Sequence, residues 1–471
     1  MYTKQTKIVC TIAHNRCEPE FIKDLFDAGM NVARLNTAHI EVEDAASIVK
    51  NLRSVSDRIG ILIDTKGPEV RIRDLETPLA VVAGETLHVS SDVQPEHGFC
   101  VNYDAFVNEV PIGSDLLIDD GEIHLIVDGK ESNCLICRVT NSGEIKNRKS
   151  VNVPGVNMKM PSLTDKDARF VEWATDNEIE FIAHSFVRNR DDVMAIQSIL
   201  DRRKSPIKII AKIENREGID NLDAILDCAH GVMVARGDLG IEVPAEEVPN
   251  IQKRMISTSI KKVKPVITAT QMLHSMIDNP RPTRAEVSDV ANAIYDGTDA
   301  LMLSGETAYG KYAVEAVQTM TNIAKKVEAE KEASSVTIPV VQQKNDLMPR
   351  NFISKSAVEI SARIGAKVII TSTRSGDTAQ ICASYRCRTP IVAYSETPRT
   401  VRELSLTYGV YAQCIEVPPE CADLVNKTVN MLIEEGVLTP EDVVCYIGGG
   451  QVKAKYTNLL QIDKAAYLIK Q

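Results

Sequence analysis

The sequence predicts an α/β protein: a (β/α)8 barrel with a small all-β lid domain inserted into it and a smaller α/β domain at the C-terminus. Three observations predict this. Eight short apolar, β-branched runs alternate with stretches of helical period. Between the third and fourth runs the helical period vanishes over residues 67–161. Beyond the eighth unit, a polar stretch leads into a further set of strands and helices.

The eight runs are residues 7–12 (KIVCTI), 30–36 (MNVARLN), 60–65 (GILIDT), 181–187 (FIAHSFV), 207–214 (IKIIAKIE), 231–238 (GVMVARGD), 265–271 (PVITATQ) and 300–306 (ALMLSGE). Helical stretches lie between them, among them 18–28, 245–262 and 284–295. Thr164 followed by Asp167 predicts another helix start, with the acid near its positive end. Eight strand–helix units in one run form the pattern of a closed barrel.

Residues 67–161 carry short alternating runs with turn signals at 119–121 (DDG), 128–129 (DG) and 141–143 (NSG). An insertion after the third strand sits at the top of a barrel, where it can act as a lid. Residues 341–349 (VQQKNDLMP) read as a linker. A helix over 352–364 and strands near 367–372, 391–395 and 443–447 follow. The expected domains are 1–66 with 162–340 for the barrel, 67–161 for the lid and 350–471 for the C-terminal domain.

The net charge of −11 over 471 residues argues against nucleic acid or a membrane surface as partner. No apolar stretch reaches a membrane span, and the start MYTKQTKIVC has no signal-peptide core, so a cytoplasmic protein is expected. The 11 cysteines are scattered. Cys134 and Cys137 form the only C-x-x-C, within a predicted strand that points them to opposite faces. With no second pair, they are expected to be reduced, small apolar residues rather than zinc ligands.

Barrel enzymes gather their chemistry at the C-terminal ends of the strands. Polar and charged residues concentrate there: Arg34 and Asn36, Asp64 with Thr65 and Lys66, Lys212 and Glu214, Asp238, Thr270, and Ser304 with Glu306. Charges on apolar central strands are costly to bury unpaired, so the coincidence points to one shared site. Glu214 with Asp238, beside Lys212 and Arg34, suits a magnesium ion holding an anionic substrate. A metal-free network of ion pairs among the same four residues is the alternative.

Several segments resemble the pyruvate kinase family: 64–71 (DTKGPEVR), 149–155 (KSVNVPG), 210–215 (IAKIEN), 233–242 (MVARGDLGIE) and the long stretch 268–310. The resemblance spans all three domains. It implies transfer of a phosphoryl group from phosphoenolpyruvate to ADP, with Mg2+ (or Mn2+) and K+, in a homotetramer with a regulatory C-terminal domain. It implies that Lys212 stabilises the phosphoryl group in flight and that Arg34 holds the phosphate. Glu214 and Asp238 would hold Mg2+, and the backbone at Gly237 and Asp238 would bind the substrate carboxylate. Thr270 would contact that carboxylate and lie near the proton-delivery path. Arg71, Lys149 and His39 would face the nucleotide, and Ser304 and Glu306 would brace the site.

The resemblance also implies a potassium site on Asn36, Asp64 and Thr65. Ala38 stands where the family has a serine hydroxyl, and Glu69 matches the glutamate of potassium-dependent members. In the C-terminal domain, 371–379 (TSTRSGDTA) falls where members activated by sugar phosphates carry a strand and then a Ser/Thr-rich loop ending at a helix. Thr373, Ser375, Gly376 and Thr378 fit a phosphate loop. Asp377 does not: it is expected to cap the following helix and repel phosphate, unless Arg374 neutralises it.

Other readings fit less of the chain. A dikinase would need phosphohistidine and nucleotide-grasp domains, and none is evident. A lyase leaves the inserted domain with Arg71 and Lys149 unexplained. A catalytically silent sensor of the same fold would not need Lys212, Glu214, Asp238 and Thr270 together.

Overall fold

A computed structural model describes residues 4–131, 133–331, 348–417, 424–449 and 457–469. The barrel strands are Lys7–Thr11, Val32–Asn36, Gly60–Asp64, Phe181–His184, Lys208–Ile213, Gly231–Ala235, Val266–Ala269 and Ala300–Leu303. They close into one parallel barrel in sequence order, the eighth pairing with the first at Ala300 and Lys7. Their near-continuous apolar character follows from burial on both faces. Val9, Leu62, Ile210, Met233, Ile267 and Met302 fill the interior. The opposite faces pack on the surrounding helices.

Local signals start those helices. Thr164 and Asp167 form a reciprocal capping box on the helix Asp165–Asp176, as the sequence predicts. Thr283 and Glu286 do the same for Arg284–Asp296. Pro19 and Pro349 occupy first-turn positions, where a missing N–H costs nothing. The C-terminal domain helix therefore begins at Pro349, within the expected linker; residues 341–347 of that linker lie outside the described residues.

The insertion builds a mixed seven-stranded sheet and a two-stranded one around its own apolar core. Asp119, Asp120 and Gly121 all have left-handed backbone and make the expected turn. Asp128 and Gly129 do not turn; they lie inside the strand Ile123–Lys130. Pairing with the strand Cys134–Val139 shifts register between Ile136 and Cys137, with Gly129 opposite Ile136. Asp128 spends its side chain on Arg138 across the sheet, at 2.8 Å. A bulge and a cross-strand ion pair thus imitate a turn signal.

The C-terminal domain holds a five-stranded sheet with strands in the order Val410–Cys414, Ile391–Ser395, Val368–Ser372, Val443–Gly448 and Leu459–Lys464. The three central strands are the ones the sequence predicts. The edge strands carry Gln413, Gln461 and Lys464, which blur the apolar pattern. Asp377 corrects an expectation. The helix Asp377–Ser384 is capped by Gly376 in a left-handed conformation, with no side-chain cap from Asp377. Nor does Arg374 neutralise Asp377: its Oδ2 accepts from Arg350 Nη1 at 2.9 Å.

This domain seals the N-terminal end of the barrel. Leu406 joins the barrel's interior cluster. Glu180, fully buried, accepts from Arg53 at 2.8 Å and from Arg402 of the C-terminal domain at 2.6 Å. Asp299 binds Arg386 at 2.6 Å. The approach is close enough that an added Cβ at Gly60 would sit 3.0 Å from the Arg402 carbonyl oxygen. With that end closed, the open strand ends lie on the side that carries the insertion.

Candidate active site

Arg34 leaves the second strand buried. Its Nε donates to Asp64 Oδ2 at 2.6 Å and its Nη1 to Thr11 Oγ1 at 2.9 Å. Lys212, on the fifth strand, places Nζ 3.1 Å from Asp64 Oδ1, 3.0 Å from Glu214 Oε1 and 2.7 Å from Ser185 Oγ. Asp64 is therefore clamped between two cations. Burial alone would raise its pKa, but Arg34 and Lys212 outweigh that and hold it below the usual carboxylate range. Burial works against the charge on Lys212, yet Asp64, Glu214 and Asp238 raise its pKa above the usual lysine value. It stays charged.

Glu214 and Asp238 behave oppositely. Burial pushes both pKa values up, only partly countered by Lys212, and each bears on the other. Two adjacent carboxyls of this kind share a proton or a cation. Glu214 Oε2 accepts from the Phe186 N–H. Its Oε1 is buried and ion-paired with the Lys212 ammonium at 3.0 Å, without a regular hydrogen bond to the described residues.

Thr270 follows the seventh strand with φ 68°, and Gln271 has φ 52°. A β-branched residue in the left-handed region costs on the order of 1–3 kcal/mol, which the surroundings must offset. Arg236 does so: Nε donates to the Ala269 carbonyl at 3.2 Å, Nη2 to the Thr270 carbonyl at 2.7 Å, and Nη1 to Asp289 at 2.7 Å. The strain aims Thr270 Oγ1 at the start of the helix Arg236–Glu242, where it accepts from the Gly237 N–H at 2.8 Å. An added Cβ at Gly237 would have the Thr270 side chain as its nearest neighbour, at 3.5 Å or more. Packing does not demand glycine there; a closely approaching ligand would.

Glu306, buried, joins two loops: its oxygens accept from the N–H groups of Leu273 at 3.2 Å and Ser304 at 2.8 Å. Asn36 Oδ1 accepts from the Ala38 N–H at 3.1 Å, and Thr65 Oγ1 from the Ser185 N–H at 3.0 Å. His39 is exposed on the turn after Asn36.

On the insertion, the backbones at Arg71 and Lys149 lie on adjacent segments although 78 positions apart in sequence (149 − 71), because Arg71 bridges to Ser150 and the Ile72 N–H donates to the Lys149 carbonyl. Both are half-exposed cations held by acids. Arg71 binds Glu69 at 2.8 Å and Lys149 binds Asp119 at 2.6 Å. A cavity of about 110 Å³ separates this edge from the barrel, lined by Glu69, Asp120 and Ser150 on one side and Phe186, Asn215 and Asp238 on the other.

Sequence reasoning missed three residues: Thr11, Ser185 and Arg236. Thr11 and Ser185 close the first and fourth strands with a hydroxyl, and position at a strand end was the available signal. Arg236 sits inside the segment 233–242 but acts on a loop 33–34 residues later, which no local pattern encodes.

Comparison with known proteins places the chain in a family. Residues 3–317 match the family model "Pyruvate kinase, barrel domain" and residues 351–462 match "Pyruvate kinase, alpha/beta domain". The chain is 48% identical to the pyruvate kinase of Borreliella burgdorferi over 100% of this chain and 99% of the relative. It is 43% identical to that of Bacillus licheniformis over 98% of this chain and 80% of the relative. The two family models and these likenesses show that the chain belongs to the pyruvate kinase family.

Proposed function

We propose that the chain transfers the phosphoryl group of phosphoenolpyruvate to ADP, giving pyruvate and ATP, with Lys212, Arg34 and Thr270 at the reacting end. The observation that carries this reading is the Glu214–Asp238 carboxyl pair beside Lys212, whose ammonium lies 3.0 Å from Glu214 Oε1. The pair fits a divalent cation: hard oxygen donors, raised pKa values, and a Glu214 Oε1 that is buried without a regular hydrogen bond among the described residues. Mg2+ or Mn2+ held there would supply positive charge to the substrate's carboxylate and phosphate oxygens.

The chain's own groups do the rest. The enol oxygen–phosphorus bond breaks as a bond forms from phosphorus to a terminal ADP oxygen, and charge builds on the oxygens between. Lys212 meets that charge with an ammonium already fixed by Asp64 and Ser185, so little reorganisation is needed. Arg34, set by Asp64 and Thr11, holds the phosphate in line. The substrate carboxylate takes over the Gly237 N–H now given to Thr270, freeing the Thr270 hydroxyl to orient proton delivery to the enolate carbon. Arg71 and Lys149 exchange Glu69 and Asp119 for nucleotide phosphates, and His39 is assigned to the nucleotide with them.

Asn36, Asp64 and Thr65 form the potassium cup of this reading, without a hydroxyl at Ala38. Homotetrameric assembly and a cytoplasmic location belong to the same proposal and rest on family membership. Among the described residues no helix is long and apolar enough to cross a membrane. The test is a coupled assay of pyruvate formation with ADP, Mg2+ and K+ each omitted in turn. Pyruvate released at an undiminished rate without ADP would overturn the reaction assigned.

A further inference from the structure

The C-x-x-C at Cys134 and Cys137 splits across the inserted sheet. Cys137 is buried in the domain core. Cys134 faces the other way and is partly exposed. There it meets two side chains, one from a neighbouring strand and one three positions earlier. His88 is on the neighbouring strand Thr86–Ser90; pairing sets Cys134 opposite Ser90 and Ile136 opposite His88, so His88 and Cys134 are diagonal neighbours on one face. Glu131 is held close by its own backbone, its N–H donating to the Cys134 carbonyl at 2.9 Å. One carboxylate oxygen, one ring nitrogen and the sulfur of this trio all lie within 4.8 Å of one another.

We propose that His88, Glu131 and Cys134 bind a borderline-soft divalent cation of the Zn2+ type, on the outer face of the inserted sheet and apart from Glu214 and Asp238. The donor set decides the class. Thiolate, imidazole and carboxylate are the ligands of Zn2+ and Co2+, whereas Mg2+ takes oxygen and does not select Cys or His. Two anionic ligands and one neutral imidazole balance a divalent charge. Tetrahedral ligands about 2.0–2.3 Å from a metal stand roughly 3.3–3.8 Å apart, so the trio must close by about an ångström. Glu131 can supply that movement: it is exposed, and its carboxylate already lies 3.9 Å from the Cys134 sulfur. The strand carrying His88 is fixed instead. Gly98 on its other neighbour approaches so closely that an added Cβ would lie 1.8 Å from the His88 carbonyl oxygen. Three protein ligands leave the fourth position to water.

The probe is Co2+, added to the full chain with Mg2+ in excess to occupy the Glu214–Asp238 carboxyls. Tetrahedral cobalt on a thiolate gives intense visible bands and a near-ultraviolet sulfur-to-metal band. We expect both at one equivalent, and both to disappear on adding Zn2+. Cys134→Ser should abolish the near-ultraviolet band, and His88→Gln should weaken Co2+ binding by at least about tenfold, since losing a direct ligand costs no less than disturbing the outer-shell partner of one. Cys414→Ser, at an exposed cysteine elsewhere, should change neither. Unchanged circular dichroism and Mg2+-supported turnover in the three variants establish that they are folded. The site is refuted if no thiolate band forms, if the band survives Cys134→Ser, or if His88→Gln binds Co2+ as the parent does.

Discussion

Arg236 Nη2 donates to the Thr270 carbonyl at 2.7 Å, and this contact fixes a threonine in the left-handed backbone region. Arg236 is thereby a positioning residue for Thr270. Lysine cannot reproduce three simultaneous bonds to Ala269, Thr270 and Asp289. Arg236→Lys should lower kcat by about 10²-fold, the scale for an ångström of misplacement, while KM for ADP stays near the parent value. Equal effects on kcat and on the ADP KM would show a general loss of structure instead.

Lys212→Met should lower kcat by at least ~10²-fold, the scale for one lost transition-state donor. The structure adds a second consequence. Lys212 is also the partner of buried Asp64 and Glu214, so its loss leaves carboxylates under-compensated. Breaking one side of a buried ion pair costs on the order of 3–5 kcal/mol, which predicts a lower Tm without metal and partial recovery with Mg2+. Turnover like the parent's in the folded variant would remove Lys212 from the reaction.

Most of the site was legible because strand ends advertise it. Lys212 and Glu214, or Arg34 and Asn36, are polar intrusions in apolar runs, and the barrel brings every such end to one rim. The barrel closure followed from eight units in order. What stayed hidden depends on contacts distant in sequence: Arg236 on Thr270, Arg350 on Asp377, His88 beside Cys134. The misread turn at Asp128–Gly129 has the same cause, since a bulge is specified by the partner strand.

Magnesium binding should be coupled to pH. The pKa values of Glu214 and Asp238 are raised by burial, so the metal-free site holds a proton that the cation must displace. A raised carboxyl favours the folded state when protonated, so metal-free stability falls as pH rises through the raised value; Mg2+ removes that loss. Affinity for Mg2+ should therefore increase between about pH 6 and pH 8, with proton release visible as a buffer-dependent enthalpy in calorimetry. Binding with no proton exchanged over that range would contradict the shared proton.

Potassium should activate, but loosely. Asp64 has both oxygens on cations, Thr65 Oγ1 already accepts a hydrogen bond, and Ala38 contributes no hydroxyl. Ala38→Ser should reduce the half-activating K+ concentration several-fold. If the parent enzyme runs equally well with K+ replaced by an inert bulky cation, the cup at Asn36, Asp64 and Thr65 is not an ion site.

The C-terminal loop should answer weakly to fructose 1,6-bisphosphate. A phosphate there would need the Ser/Thr hydroxyls and N–H groups at the start of the helix Asp377–Ser384. Several are already engaged: Thr373 Oγ1 accepts from the Gly376 N–H at 3.0 Å, and the Thr378 hydroxyl bonds that of Thr457 at 2.8 Å. Asp377 stands in the first turn, and its pair with Arg350 is partly exposed, worth no more than about 1 kcal/mol. That pair is too weak to cancel the repulsion between a carboxylate and a phosphate in close contact, which is on the order of a few kcal/mol near a surface. Phosphoenolpyruvate saturation curves with and without millimolar bisphosphate should therefore nearly superimpose; a several-fold fall in half-saturation would refute the argument. Asp377→Thr removes the charge and also releases Arg350, so this variant should acquire the response. Arg350→Met should not acquire it, because the carboxylate remains. A response in Arg350→Met but not in Asp377→Thr would mean that the ion pair, rather than the carboxylate, had closed the site.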